Sequence, residues 1–268
     1  MQNSANTEEL KGQIVLVCHR LYQKNLVANH DGNITFRLPD GRYLATPTSF
    51  SKGDVKKEDI LLLDAQGKVI DGPHKVFSEI SWHLSIYRVR PDVACVVHAH
   101  PAAAGGFGLG GIELGVPALP EAVVSLGSPI LNTKFISPLD PDLGRISGAV
   151  DLEIKRVLSS SDAFLVPGNG AWTVGQDVMQ TYYRLELVEQ IARQHKDAMS
   201  LGNLHRLPEA LVTELLKRRP QPKPLVKTTA NPKPAIPGNT AHSSDSTLLD
   251  RSQLEEIVRT ELLGLLGN

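Results

Sequence analysis

Cysteine is nearly absent from this chain, which excludes a cross-linked scaffold. Its 268 residues include two, Cys18 and Cys95, each inside an apolar run (14–18 and 93–97). Both read as buried small hydrophobes in a protein made for a reducing compartment. Long apolar stretches are missing too. No run approaches the length needed to span a bilayer, and Met1 to Glu9 contain no apolar core of the signal-peptide kind. A cytoplasmic location is therefore expected. Nor is there an excess of charge of one sign: 28 Lys and Arg face 29 Asp and Glu, a formal net charge of -1. That balance gives neither nucleic acid nor an anionic membrane a bulk electrostatic handle, and an acidic ligand would need a local positive site.

What is present reads as three regions. Residues 1–216 are expected to form one domain. Helices are predicted over 8–26, 78–90, 143–158 and 178–199, where apolar residues recur at helical spacing, as Leu10, Ile14, Val17, Cys18 and Leu21 do. Ser78 is placed to cap the second helix, and Pro91 stops it. Strands are predicted over 34–37, 42–45, 60–63, 68–70, 93–98, 163–166 and 171–174, with turns at Pro39-Asp40-Gly41 and over 64–67. Strands interleaved with helices, several joined as hairpins, predict an α/β fold: a central mixed or largely antiparallel sheet layered between helices.

Residues 217–247 have a different composition. Pro220, Pro222, Pro224, Pro232, Pro234 and Pro237 alternate with lysines, and a Ser/Thr/Asn-rich stretch follows. Such a segment buries too little apolar surface to offset its chain entropy and is expected to be a flexible linker. Apolar periodicity returns over 248–268. Leu254, Ile257, Val258, Leu262 and Leu265 fall on one helical face, with Glu255, Glu256 and Arg259 on the other. Ser252 stands three residues before Glu255, a capping-box spacing.

Three features can carry chemistry. His98-Ala99-His100 ends an apolar strand, and residues i and i+2 of a strand face the same way, so the two imidazoles can chelate one divalent ion. A histidine pair at a strand end is also ordinary polar punctuation. Ser78-Glu79 opens a helix, whose N–H groups and dipole suit an anion; a first-turn glutamate also simply favours that dipole. Gly32-Asn33-Ile34-Thr35 and Thr46-Pro47-Thr48-Ser49 are small, hydroxyl-rich loops that can bring backbone N–H groups to an anion, and are also everyday turn residues.

Taken in order, these segments together with Trp82-His83, Tyr87, Arg90-Pro91-Asp92, Val97 to Pro101 and Val116 to Pro120 resemble the class II aldolase/adducin family. The resemblance covers about residues 7–197. It implies a metal-dependent aldolase acting on a fuculose- or rhamnulose-phosphate-like ketose 1-phosphate, built as a homotetramer with the site between subunits. It implies a zinc-like divalent ion on three histidines beside a catalytic glutamate. Residue by residue, His98 and His100 match two metal ligands, and Glu79 matches the proton-transfer group. Asn33, Thr48, Ser49 and Ser78 match the phosphate-binding positions. His83 matches a family position too and is read as helix packing.

The chain departs from that pattern twice. Asn169, in Pro167-Gly168-Asn169-Gly170, stands where the third histidine is expected, and its neutral oxygen suits harder ions than zinc. Glu121 stands where fuculose-phosphate aldolases carry a tyrosine that helps protonate across the interface. Glu121 is expected to take that catalytic role or to add an oxygen ligand; a surface carboxylate is the plain alternative. Epimerase or decarboxylase chemistry on the same kind of site, or a non-catalytic adducin-like module, are the competing readings. Residues 248–268, behind their linker, resemble the encapsulation peptides of bacterial microcompartment cargo. They imply a shell protein as partner and a location inside such a compartment.

Overall fold

The computed structural model describes residues 2–134 and 148–221. The terminal helix expected over 248–268, the linker from 222 onward and the first residues of the helix expected over 143–158 lie outside the described residues.

Eight strands form one sheet in the order β4-β3-β2-β1-β5-β8-β7-β6. They are β1 (Asn33–Arg37), β2 (Tyr43–Ala45), β3 (Leu61–Leu63), β4 (Val69–Asp71), β5 (Cys95–Ala99), β6 (Leu131–Asn132), β7 (Ala163–Leu165) and β8 (Ala171–Gly175). All neighbours pair antiparallel except β6 and β7. The expected mixed, largely antiparallel sheet between helices is what the chain forms.

Strand alternation divides the core in two. Cys95, Val97 and Ala99 of β5 share one apolar cluster with α1 (Gln2–Gln23), α3 (Ala102–Leu109) and α6 (Val178–Ser200). Val96 shares the other with Phe164, Trp172 and Val174, under α2 (Ile80–Val89) and α5 (Ala149–Val157). Of the stripe read from the sequence, Ile14, Val17, Cys18 and Leu21 are fully buried against the first face and Leu10 is partly buried. Side chains of this kind contribute about 1.5–3 kcal/mol each on burial. Both cysteines are free and buried, and burial pushes each thiol up to about 12.

Three helices lie where no helical pattern was read: α3, α4 (Pro120–Leu126) and α7 (Glu209–Lys217). The sequence of α3, AAAGGFGL, is rich in the weakest non-proline helix former. Its start is held from outside, because the Glu189 carboxylate on α6 accepts the N–H groups of Ala103 and Ala104 at 3.0–3.2 Å. Lys217 closes α7, and Arg219 just beyond it pairs with buried Asp162 at 2.6 Å. Arg90 and Arg184 meet the same carboxylate at 3.0 and 2.9 Å.

Candidate functional site

The site gathers at the end of β5, which the sheet places between β1 and β8. The register sets His98 opposite Asn33 on one side and opposite Trp172 on the other. Two glycines with positive φ let neighbouring loops close on that strand end. A Cβ at Gly32 (φ 75°) would lie 2.7 Å from the His98 carbonyl oxygen, and one at Gly170 (φ 68°) would strike the Ala99 carbonyl and the His100 backbone. Only glycine fits at both points.

His98 is 1% exposed and stacks on Trp172, the ring centroids 4.2 Å apart and the planes 15° from parallel. Its Nε2 lies 2.9 Å from the Asn169 carbonyl oxygen. A carbonyl only accepts, so Nε2 carries the hydrogen and Nδ1 keeps a bare lone pair. That Nδ1 is buried and has no partner among the described residues. Burial, with His100 and His83 nearby, holds His98 well below the usual histidine range, so the ring is neutral. His100 follows with its ring centroid 4.9 Å away, and its backbone N–H donates to the Leu26 carbonyl at 3.0 Å. Burial lowers the pKa of His100, while Asp31 and Glu79 oppose that shift. The expected pair of imidazoles on one face is therefore present.

Glu79 is the N-cap residue of α2 rather than a residue of its first turn, and no side chain caps this helix. Ser78 spends its hydroxyl hydrogen on Glu79 Oε2 at 2.9 Å. The sequence reading of Ser78 as the cap is thereby corrected: the carboxylate beside it is the stronger acceptor. Asn33 is buried and its Oδ1 is engaged by His83. The Thr48 N–H donates to the Lys75 carbonyl at 3.0 Å, and Ser49 is exposed with a left-handed backbone, φ 61°. Asn169 presents its carbonyl to His98, and its side-chain Nδ2 is buried without a partner among the described residues. Glu121 sits in the first turn of α4 and lines a surface cleft of about 770 Å³ with Lys24, Tyr183, Glu186 and Arg193. The carboxylates that act on His100 are Asp31 and Glu79.

Sequence reasoning missed Lys52. It is 1% exposed, and its ammonium donates to the carbonyls of Phe50 (3.1 Å) and His30 (3.4 Å). One buried cation thus ties the loop that carries Thr48 and Ser49 to the loop that leads into Gly32 and Asn33. Burial lowers its pKa, and Cys18, Asp31 and Glu79 counter the shift. Lys52 sets a positive charge behind the loops of Thr48, Ser49 and Asn33, in a chain whose net charge is close to zero. A lysine next to Gly53 in a polar loop carries no periodicity by which burial could have been foreseen.

These donors fit a divalent ion. An imidazole that gives one N–H to a backbone carbonyl and keeps the other nitrogen bare is in the state metal ligands adopt. Among the described residues no three His, Cys, Asp or Glu side chains converge to hold one. The set is thus two histidines, His98 and His100, unlike the three-histidine cage the resemblance implies.

Residues 12–195 match the family model described as Class II Aldolase and Adducin N-terminal domain. An L-fuculose phosphate aldolase of Methanococcus vannielii is 30% identical over 190 residues, 70% of this chain and 96% of that protein. A 3-oxo-tetronate 4-phosphate decarboxylase of Escherichia coli is 25% identical over 198 residues, covering 72% and 89%. The solved structure of an L-fuculose 1-phosphate aldolase superposes with a TM-score of 0.70 over 78% of this chain and 95% of that one, at 19% identity, a likeness of fold. The chain belongs to the class II aldolase and adducin family, which supports an aldolase-type enzyme. Among the described residues no helix is long and apolar enough to cross a membrane.

Proposed function

We propose that the chain is a metal-dependent aldolase that cleaves a ketose 1-phosphate to dihydroxyacetone phosphate and an aldehyde. The observation that carries this reading is the state of His98, with one nitrogen committed to Asn169 and the other bare beside His100. Asn33, Thr48, Ser49 and Ser78 surround the phosphate, with the Lys52 ammonium behind two of their loops. Phosphate binding fixes the reacting carbons relative to Glu79. In cleavage, the electron pair of the broken carbon–carbon bond moves toward the carbonyl, and Glu79 returns a proton to the carbon next to it. Glu121 of a neighbouring subunit takes up the hydroxyl proton on the aldehyde side. A divalent ion held by His98 and His100 would supply Lewis-acid stabilisation of the negative charge that develops. The test is release of dihydroxyacetone phosphate from a panel of ketose 1-phosphates, fuculose and rhamnulose phosphates included. Carbon dioxide release from a phosphorylated keto acid, with no such cleavage, would favour the second reading, decarboxylation, to which the Escherichia coli relative lends support.

The third ligand position sets the choice of ion. Asn169→His adds an imidazole beside His98 and is expected to tighten zinc binding by about 10-fold or more. Equal zinc affinity in the two proteins, measured by competition with a chelating dye, would mean that Asn169 does not face the ion.

We assign residues 248–268 a targeting role, as cargo of a bacterial microcompartment, on their sequence pattern alone. The Leu/Ile/Val face would lie in a groove of a shell protein, and a shell would retain the aldehyde product. Removing residues 222–268 keeps α7 and the Arg219–Asp162 pair. It is expected to leave turnover unchanged while co-purification with shells is lost. Entry of the shortened enzyme into shells would sink the idea.

A further inference from the structure

His83 was read as a packing histidine, and its surroundings say more. It lies one turn after Glu79 on α2, is fully buried, and packs against Phe77 and Trp172 with centroids 5.0 Å away in both cases. Both ring nitrogens are engaged. Nε2 is 2.6 Å from Asn33 Oδ1, and Nδ1 is 2.7 Å from Thr35 Oγ1. The Thr35 hydroxyl is in turn 2.7 Å from the Tyr87 hydroxyl. Burial holds His83 down to about 3, so the ring has one proton to give at any working pH. The Asn33 oxygen only accepts, so that proton is on Nε2. Nδ1 is then bare and accepts from Thr35, whose oxygen accepts from Tyr87. Read from the Asn33 end, the donors run from Tyr87 to Thr35 to His83 to Asn33, and the Tyr87 hydroxyl has the Ala94 carbonyl at 3.4 Å as its other acceptor.

An asparagine amide can turn over, exchanging an acceptor for two donors at the same place. With Oδ1 spent on His83, the free end of Asn33 is its NH2, which makes no hydrogen bond to any described residue. Turning the amide would require the His83 proton to move to Nδ1 and Thr35 to donate to Tyr87, which leaves the Tyr87 hydrogen only the Ala94 carbonyl at 3.4 Å in place of Thr35 at 2.7 Å. Asn33 stands opposite His98 in the sheet, so its side chain is on the same face as the candidate metal ligands.

We propose that His83 is a positioning residue: through the relay Tyr87–Thr35–His83 it locks the Asn33 amide with NH2 outward, so that the site takes an acceptor group there, the substrate's phosphate, and refuses a donor. This rests on the sugar-phosphate reading for the identity of the ligand, and on geometry alone for the lock.

The test has two arms on the full chain. Nitrogen-15 NMR of histidine-labelled protein reads the His83 tautomer, with the signal assigned by its loss in His83→Gln. The expected result is Nε2–H, unchanged from pH 5.5 to 8. An Nδ1–H tautomer would mean that Asn33 shows its carbonyl to the site, and would overturn the proposal. The second arm frees the tautomer. Thr35→Val removes the hydroxyl that Nδ1 needs and is expected to weaken inorganic phosphate binding by about 10-fold. KM for the phosphorylated substrate should rise with kcat much less affected, and Thr35→Ser should restore both. A folded Thr35→Val protein with wild-type phosphate affinity also overturns the lock. If Thr35→Val does not fold, the tautomer and Thr35→Ser decide. Should wild type show Nε2–H yet take up no phosphate, the ligand assignment falls together with the sugar-phosphate reading; the wrong tautomer refutes the lock by itself.

Discussion

Glu79→Gln is expected to fold normally and to turn over about 10²–10⁴ times more slowly, the usual loss for a positioned acid–base group. Glutamine keeps the shape and an oxygen for the Ser78 hydroxyl, which donates to Glu79 Oε2 at 2.9 Å. The residue is the half-buried N-cap of α2 and makes no capping bond there, so helix stability has little to lose. What disappears is a group able to take and return a proton. KM should change far less than kcat, because the carboxylate is not among the phosphate donors. Steady-state kinetics with melting curves check both halves. Near-normal turnover would remove Glu79 from the chemistry and move the role to Glu121.

The second large effect is at His98. His98→Ala is expected to lose divalent metal, by about 100-fold or more in affinity, together with activity. It removes the bare Nδ1, the bond to the Asn169 carbonyl and the stack on Trp172 in one step. Some stability goes too, on the order of 1–3 kcal/mol for the cavity and the lost bond. Metal content must therefore be measured on protein shown to be folded, by elemental analysis after gel filtration. An inactive, folded and fully metallated His98→Ala protein would dismiss His98 as a ligand. His100→Ala should behave alike with a smaller structural cost, since that ring is less buried.

The parts legible in the sequence were those governed by local periodicity. The α1 stripe, the α2 span, and β5 with His98 and, just past its end, His100 on one face follow from spacings of 3.6 and 2 residues. The unreadable parts depend on contacts between distant segments. Nothing in AAAGGFGL says helix until Glu189 of α6 supplies acceptors for its first N–H groups. Ser78 reads as a cap unless the adjacent Glu79 carboxylate competes for its hydrogen. Lys52 looks like any loop lysine until the 28–32 and 46–51 loops close around it. His83 matched a family position, but its tie to Asn33 needs β1 and α2 to meet, which no spacing along the chain encodes.

Gly32 and Gly170 press their loops against β5 with no side chain between. The separation between the Gly32–Asn33 loop, the histidines and the Asn169 turn is therefore set by main chain against main chain. Exchanges elsewhere in the core can alter packing without altering that span. Side chains mounted on that fixed ruler, Asn169 among them, can then be exchanged, while the ruler itself tolerates no added methyl group.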